Sequence, residues 1–210
     1  RNIFMTTPNS VSIARLSDGL VFNVNKAFEE ATGLNRQEIV GKKAGKLFAG
    51  FLVDRSDRDF MVEELKSGRD IINRELKFRR KDGTERFGVY SARTIPIDGE
   101  ECVIFILQDV TARKLAEDKF HKIFIATPNC IAISRLGDGV IIDVNKGFEN
   151  IIGWKRNDVI GEKSTESPFN FWVDQSERDF RVEELKSGRD VHHRELKFRR
   201  KDDSVREGVY

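Results

Sequence analysis

Apolar and polar residues alternate over residues 70–80, and this alternation is the clearest hydrophobic pattern in the chain. One face carries Ile72, Arg74, Leu76, Phe78 and Arg80, and the opposite face carries Glu75, Lys77 and Arg79. Because successive side chains of a strand point to opposite faces, the pattern predicts a strand that is buried on one side. A turn at residues 81–83 and a second strand over residues 84–96 follow. Residues 102–107 are apolar throughout, which predicts a strand in the middle of its sheet.

The first part of the chain predicts a short hairpin followed by a helix. Strands are predicted over residues 11–16 and 20–25, on either side of a turn at Asp18 and Gly19. Asn25 ends the second strand and is placed to cap a helix over residues 26–32.

Two further helices are predicted before the alternating strand. Asn35 and Glu38 have the spacing of a capping box. Ser56 and Asp59 have a similar spacing at the start of a helix that ends near Lys66. The resulting order, β-β-α-α-α-β-β-β, predicts an α+β fold with an antiparallel sheet and helices on one face.

The chain contains a long internal repeat. Residues 3–90 match residues 123–210 without a gap, at an offset of 120 residues, and the segment ELKFRRKD occurs in both copies. An ungapped repeat of this length predicts one fold made twice. The sequence therefore predicts two domains, each of a size that can bury its own core.

The charge and hydropathy patterns limit the partners of the chain. Lys and Arg total 37 residues against 35 Asp and Glu, and the two signs are interspersed. Nucleic-acid binding favours a one-sided basic surface, so we expect no nucleic-acid partner. No apolar run approaches the about 18 residues of a membrane helix, and the first residues lack the apolar segment of a signal peptide. We expect a cytoplasmic location without membrane contact by these residues, and a membrane segment upstream of Arg1 is left open.

Catalytic and metal-binding patterns are missing from the sequence. It has no P-loop, zinc-protease, nucleophile-elbow or kinase signature, so we predict no enzymatic activity for these residues. An enzymatic output domain elsewhere in the full-length protein is left open. Cys102 and Cys130 do not occupy equivalent repeat positions, which favours free buried thiols over a disulfide or a metal site. His192 and His193 are adjacent in a predicted strand and therefore point to opposite faces.

Several motifs of the first copy resemble a PAS domain of the sensory-box type with its C-terminal PAC half. They are DG-LVFNVN-KAFEEATGLNRQEIVGK, ELKFRRKDGTERF, TIPIDG and QDVTARKLAE, in this order. The resemblance covers residues 8–117 in full, and it is that of tandem PAS domains in a bacterial or archaeal type of signal-transduction protein. It implies a five-stranded antiparallel sheet in the order 2-1-5-4-3, with helices closing over one face around a small cavity. It also implies ligand binding, dimerisation and signal transfer to an output domain in cis.

The resemblance divides the chain into a PAS/PAC domain over residues 1–110, a linker helix over residues 111–124 and a second PAS domain over residues 125–210. The second copy stops before the equivalent of residues 91–111, so its last strand is not in this sequence. Either further residues form that strand or a neighbouring chain donates one, because an open strand edge is costly or adhesive. The linker helix has an apolar side that packs either on its own domain or along a second copy. We expect a homodimer, with strand exchange as one form of it.

The resemblance implies a set of pocket residues and a set of relay residues. The pocket candidates are Phe28, Ile39, Phe60, Leu65, Arg74, Leu76, Phe78, Phe148, Phe180, Leu185, Arg194, Leu196 and Phe198. Arg74 and Arg194 are candidates to bind an anionic ligand, although a solvated ion pair with Glu75 and Glu195 is the alternative. The relay candidates, at the exit of the last strand, are Asp109, Thr111 and Arg113.

The implied function is a sensory input module of a histidine kinase or a cyclic-di-nucleotide enzyme. It would relay a ligand-dependent change through the last strand to the exit helix. The alternative is a ligand-free PAS scaffold for dimerisation and relay. PAS domains that bind haem or flavin carry a His in or before the long helix or a Cys in an NCRFLQ-like segment, and this chain has neither. We therefore predict no haem and no flavin, although the missing Cys argues directly only against covalent flavin photochemistry, and an unidentified small ligand is left open.

Overall fold

The computed structural model describes residues 2–47, 50–164, 166 and 169–210. It divides into two compact units, Arg1–Ala116 and Glu117–Tyr210, which we call the first and second units. The division falls inside one helix, Thr111–Ala126. No helix among the described residues has both the length and the apolar character that a membrane span requires.

The first unit is a five-stranded antiparallel sheet with helices between its second and third strands. Its elements are α1 (Asn2–Thr6), β1 (Ser10–Arg15), β2 (Val21–Val24), α2 (Lys26–Thr32), α3 (Arg36–Ile39), α4 (Ala44–Leu47), α5 (Arg55–Lys66), β3 (Ile71–Arg79), β4 (Glu85–Ile97), β5 (Glu100–Asp109) and the start of α6 (Thr111–Ala126). The strand order is β2-β1-β5-β4-β3. The predicted α+β class and sheet order are confirmed.

Strand β5 lies in the centre of this sheet, as its unbroken apolar run predicts. It pairs with β1 on one side, where Ile106 faces Val11, and with β4 on the other, where Ile106 faces Ser91. Cys102 and Leu107 are fully buried. The turn before β5 has Asp98 and Gly99 both at positive φ, 50° and 83°, which is the geometry of a two-residue hairpin turn that follows the sheet twist.

Asn25 connects the start of α2 to the first strand. Its fully buried side chain accepts hydrogen bonds from the Phe28 and Val11 backbone N–H groups, each at 2.9 Å, and donates one to the Asn9 carbonyl at 2.8 Å. The predicted cap is confirmed. Asn145 makes the equivalent bonds in the second unit.

Helix α5 begins earlier than its sequence predicts. Its N-cap is Asp54, whose side chain accepts a hydrogen bond from the Ser56 backbone N–H at 2.8 Å. The prediction that Ser56 starts the helix is therefore wrong. The Asp54 carboxylate already accepts a hydrogen bond from the first turn of the helix, so Ser56 lies inside the helix and does not cap it.

Strand β3 contains a bulge that the alternation does not show. Asn73 has a φ of 51°, and the pairing with β4 changes register between Ile71 and Arg74. As a result Ile71 is buried, while Ile72 is 71% exposed. The predicted position of Ile72 on the face of Leu76 and Phe78 is wrong, because the bulge reverses the alternation at this end of the strand.

Among the described residues, the second unit contains counterparts of β1, β2, α2, α3, α5, β3 and β4. It contains β6 (Ala132–Ser134), β7 (Ile141–Val144), α7 (Lys146–Ile152), α8 (Arg156–Val159), α9 (Gln175–Lys186), β8 (Glu195–Arg199) and β9 (Val205–Val209). These strands form two separate two-stranded sheets, β6-β7 and β8-β9. His192 and His193 precede β8 and are not part of it, so their predicted strand position is wrong.

Candidate ligand cavity and signal-relay site

A cavity of about 350 Å³ lies in the first unit between α5, the β1–β2 turn and the inner face of β1 and β5. Its volume is at the lower end of those found for small-molecule sites. The apolar residues of its wall are Ala14, Leu16, Val21, Phe28, Ala44, Phe51, Leu52, Met61, Val62, Leu65, Val103 and Phe105. These residues come from helices, strands and connecting segments that are far apart in the sequence, so they meet only in the folded unit.

Two of the pocket candidates from the sequence, Phe28 and Leu65, are in this wall. The other candidates of the first copy, which lie around the cavity or beyond it, are Ile39, Phe60, Arg74, Leu76 and Phe78. Leu76 and Phe78 pack with Leu65 and Tyr90 in the core of the unit. The core and the cavity are therefore neighbouring regions on one face of the sheet.

Charged groups of the β1–β2 turn at the rim of the cavity are paired with one another. The Nε atom of Arg15 lies 2.8 Å from a Glu100 carboxylate oxygen, and Asp18 lies within 3.7 Å of Arg15 and 3.5 Å of Lys43. A hydrogen bond from the Leu20 backbone N–H, together with the cations of Lys43 and Arg15, lowers the pKa of Asp18. This side of the rim carries little unbalanced charge.

Arg74 of β3 connects α5 to the sheet. The guanidinium carbon lies 3.8 Å from the centre of the Phe60 ring, and Nη2 lies 3.5 Å from Asp57 Oδ1. The buried Nε of Arg74 and the buried hydroxyl of Tyr90 have no hydrogen-bond partner among the described residues. Burial raises the pKa of Tyr90, and the Arg74 cation opposes that rise. We call Asp57, Arg74 and Tyr90 the strap of the first unit.

The equivalent strap of the second unit consists of Glu177, Arg194 and Tyr210, and both other side chains donate hydrogen bonds to the Glu177 carboxylate. Arg194 donates to both Glu177 carboxylate oxygens at 2.8 and 2.9 Å, and the Tyr210 hydroxyl donates to the same carboxylate at 2.9 Å. The Arg194 guanidinium also lies over the Phe180 ring at 4.3 Å. The hydrogen bonds from Arg194 and Tyr210 lower the pKa of Glu177. The sequence places Arg74 and Arg194 near the pocket but does not reveal these partners.

The exit from β5 is fixed by Thr111, whose side chain is buried. Its Oγ1 accepts a hydrogen bond from the Phe87 backbone N–H at 2.8 Å and donates one to the Phe87 carbonyl at 3.3 Å. Asp109 accepts from the Thr111 backbone N–H at 2.9 Å and lies 3.9 Å from Arg86. Two of the three predicted relay residues thus connect β4, β5 and the first turn of α6.

The third predicted relay residue, Arg113, is exposed, and its neighbour Lys114 makes the longer connection. The Lys114 ammonium forms an ion pair with Glu75 of β3 and lies 5.5 Å from the centre of the Phe87 ring. Sequence reasoning missed Lys114. The available signal was its place three residues after Thr111, where a helix that starts at Thr111 returns to the same side.

In the second unit, a cleft of about 1060 Å³ separates the β6-β7 hairpin from the β8-β9 hairpin. Four of the sequence candidates line it: Phe148, Leu185, Leu196 and Phe198; Phe180 and Arg194 lie outside. Cys130 lines the cleft and is exposed, whereas Cys102 is buried. The prediction of two buried thiols is therefore wrong for Cys130, because the edge of β6 is open at this cleft.

The described residues contain no cluster of three His, Cys, Asp or Glu side chains that could hold a metal ion. The His192 and His193 rings lie 6.4 Å apart, and both are beside the open end of β8. The structure therefore gives no geometry on which to build metal chemistry in the described part of the chain.

Comparisons with known proteins agree with this architecture. The family model "PAS domain" matches residues 8–112 and 128–207. A phytochrome from Picea abies is 30% identical over an alignment of 172 residues, and the match covers 70% of this chain and 14% of the phytochrome. The chain thus spans about one seventh of that curated relative.

Solved structures of PAS domains are similar to half of this chain. One is the PAS domain of an HTR-like protein from Haloarcula marismortui, with 20% identity, a TM-score of 0.41 and coverage of 51% of this chain and 85% of that domain. Another is a PAS domain from Colwellia psychrerythraea, with 18% identity, a TM-score of 0.45 and coverage of 53% and 94%.

Proposed function

Because the chain belongs to the PAS domain family, whose members are sensory modules of signalling proteins, we propose that its first unit is a ligand-binding input module. Occupancy of the cavity would change the packing of α5 and β5. That change would reach α6 and then an output domain in cis. A histidine kinase, as in two-component systems, or a cyclic-di-nucleotide enzyme is the proposed type of output.

One observation carries this proposal: β5 belongs to both the cavity wall and the exit site. Val103 and Phe105 line the cavity, and Asp109 at the end of the same strand binds the first amide of α6. Phe105 and Asp109 are four residues apart, which is about 13 Å along a strand. A central strand has partners on both sides, so a shift at one end is constrained to follow the strand.

The cavity favours this function over the alternative of a ligand-free scaffold. A scaffold would fill the inner face of its sheet with its own side chains, since protein interiors are closely packed. About 350 Å³ between α5 and β1 is instead open to a small molecule.

The proposal is tested by filling the cavity and measuring the exit helix. Ala14→Leu adds a side chain to the cavity wall, so it imitates occupancy without a ligand. We expect a changed rate of hydrogen–deuterium exchange at residues 111–116 of the full chain, measured by mass spectrometry. We also expect Ala14→Leu to cause no additional change when it is introduced into the Thr111→Val variant, because the Thr111 contacts carry the signal.

Ile72→Ala is the control substitution, because Ile72 is on the surface and outside the cavity. It should leave exchange at residues 111–116 unchanged. If Ala14→Leu also leaves these residues unchanged while the unit stays folded by circular dichroism, the proposed relay is wrong.

A further inference from the structure

The wall of the cavity in the first unit is mainly apolar, and of the two serines that line it, Ser12 is buried and Ser17 is exposed. Ser12 lines the cavity from the inner face of β1, and its side chain forms no hydrogen bond within the described part of the chain. The apolar side chains around it come from α2, α5, β1, β2 and β5. Such a wall suits the hydrocarbon part of a ligand, which gains free energy when it leaves water.

The polar end of the cavity is positively charged. Arg58 and Lys66 of α5 both line it, and neither forms an ion pair or a side-chain hydrogen bond with another residue in the described ranges. Arg15 and Asp18, by contrast, are neutralised by Glu100 and Lys43. Of the described residues that line the cavity, the cations without an ionic partner are therefore the two on α5.

Arg58 is the better placed of the two cations to hold a ligand head group. It is eight residues from Lys66, about 12 Å along the helix, so one small anion cannot contact both. Its Nη2 atom lies close to Gly45 of α4. A Cβ atom added to that glycine would be 3.0 Å from Nη2. The guanidinium thus lies across the gap between α5 and α4, and its planar donors match a carboxylate.

From this arrangement we infer that the cavity takes an amphiphile with an unbranched apolar body and one carboxylate, as in a medium-chain fatty acid. The carboxylate binds Arg58, the hydrocarbon contacts Phe28, Leu65 and Phe105, and Lys66 adds long-range attraction. This inference rests on the proposed function, to which it adds the class of ligand.

The test is isothermal titration calorimetry of the 210-residue chain with sodium dodecanoate at neutral pH, below the concentration at which it forms micelles. Arg58→Gln should weaken binding by about tenfold or more, because a charge-assisted hydrogen-bonded contact is lost. Arg58→Lys keeps the positive charge but lacks the planar guanidinium. Its affinity for dodecanoate should therefore lie between those of the unchanged chain and of Arg58→Gln. Dodecan-1-ol, which has the same chain without the charge, should bind at least about tenfold more weakly than dodecanoate.

Matched variants locate the site. Arg178 occupies the repeat position of Arg58 in the second unit, where it contacts Asp179, so Arg178→Gln should leave the affinity unchanged. Ala14→Leu should remove binding by filling the cavity. Unchanged affinity in Arg58→Gln, or in Ala14→Leu, overturns the inference, and so does equal binding of the acid and the alcohol.

The ligand class and the sensor function fail in different ways. If Arg58→Gln does not affect dodecanoate binding but Ala14→Leu still alters exchange in α6, the ligand class is wrong and the proposed function stands. If Ala14→Leu alters neither binding nor exchange, both are wrong.

Discussion

Asp57 and Glu177 occupy the same repeat position, and their difference of one methylene group decides how many hydrogen bonds each strap makes. Glu177 reaches both Arg194 and a tyrosine hydroxyl, whereas Asp57 reaches only one nitrogen of Arg74, at 3.5 Å. A buried donor without a partner costs free energy. Helix α5, which forms one wall of the cavity, therefore makes fewer hydrogen bonds through its strap than α9 makes through the equivalent residues.

Asp57→Glu is expected to stabilise the first unit. The longer carboxylate can accept from Arg74 Nε and from the Tyr90 hydroxyl, as Glu177 does from their counterparts, which contributes about 1 kcal/mol to the free energy of unfolding. Slower hydrogen–deuterium exchange in β3 and β4 would show this. Faster exchange in these strands would contradict it.

The reciprocal variant, Glu177→Asp, should destabilise the second unit, because the shorter carboxylate cannot accept from both Arg194 and Tyr210. Trp154 and Trp172 are the two tryptophans of the sequence and both lie in this unit. Tryptophan fluorescence during urea unfolding therefore reports on it selectively, and an unchanged midpoint would show that the Tyr210 bond contributes nothing.

The same carboxylate predicts a pH dependence of the second unit. The pKa of Glu177 is lowered from 4.5 in the folded protein, mainly by its hydrogen bond from Arg194. Its contribution to stability is therefore complete above the unfolded-state pKa and is lost as the pH falls through the lower folded-state value. Urea midpoints followed by tryptophan fluorescence between neutral and acid pH should fall less steeply for Glu177→Gln than for the unchanged chain.

At the scale of elements, the junction of β5 and α6 joins three strands to one helix. Thr111 is bonded to β4 through Phe87, Asp109 is bonded to the first turn of α6, and Lys114 is paired with Glu75 of β3. The start of α6 is thus held by the sheet, whereas later positions of the helix, including Phe120 and Ile123, are more than half exposed. A helix held at one end can transmit a displacement of the sheet along its axis.

Thr111→Val should weaken this junction. It leaves the Phe87 backbone N–H without its partner and costs about 1 kcal/mol of local stability. Exchange at residues 112–116 is expected to increase by about fivefold, since 1.4 kcal/mol corresponds to tenfold. Thr127→Val, which removes a hydrogen bond to the Ile123 carbonyl at the other end of α6, is the control and should leave these residues unaffected.

At the scale of the whole molecule, α6 presents an apolar surface for which we propose a second copy of the chain as the partner. Leu115, Phe120 and Ile123 are 56%, 62% and 57% exposed. Their spacings are five and three residues, so at 3.6 residues per turn they lie within about 140° of one another around the helix and form one broad apolar side. Burial of such side chains between two parallel copies would make the helix stable, which it would not be alone.

Light scattering after size-exclusion chromatography at high micromolar concentration should therefore give the mass of a dimer. Phe120→Glu should give a monomer, because it places a charge in the seam. Lys119→Glu, an exposed substitution one position away, is the control and should remain dimeric. A monomeric mass for the unchanged chain would refute the proposed seam.

Local pattern was sufficient for most elements of the fold. The capping asparagines Asn25 and Asn145 and the apolar run of β5 are signals between near neighbours in sequence, and each predicted its element. The repeat, at an offset of 120 residues, predicted the second unit. The family resemblance added the sheet order. The predicted start of a helix was wrong where two possible N-cap residues lie close together, as Asp54 and Ser56 do.

The sequence by itself determined that the helix and strand pattern of the first unit recurs in the second and that β5 is the central strand of the first, because repeats, periodicity and capping are read directly from the order of residues. Tertiary structure alone decided the bulge at Asn73, the strap from α5 to the sheet and the position of the cavity beside Arg58. Each of these depends on contacts between side chains far apart in the chain. Their distances follow from packing, and sequence spacing does not specify them.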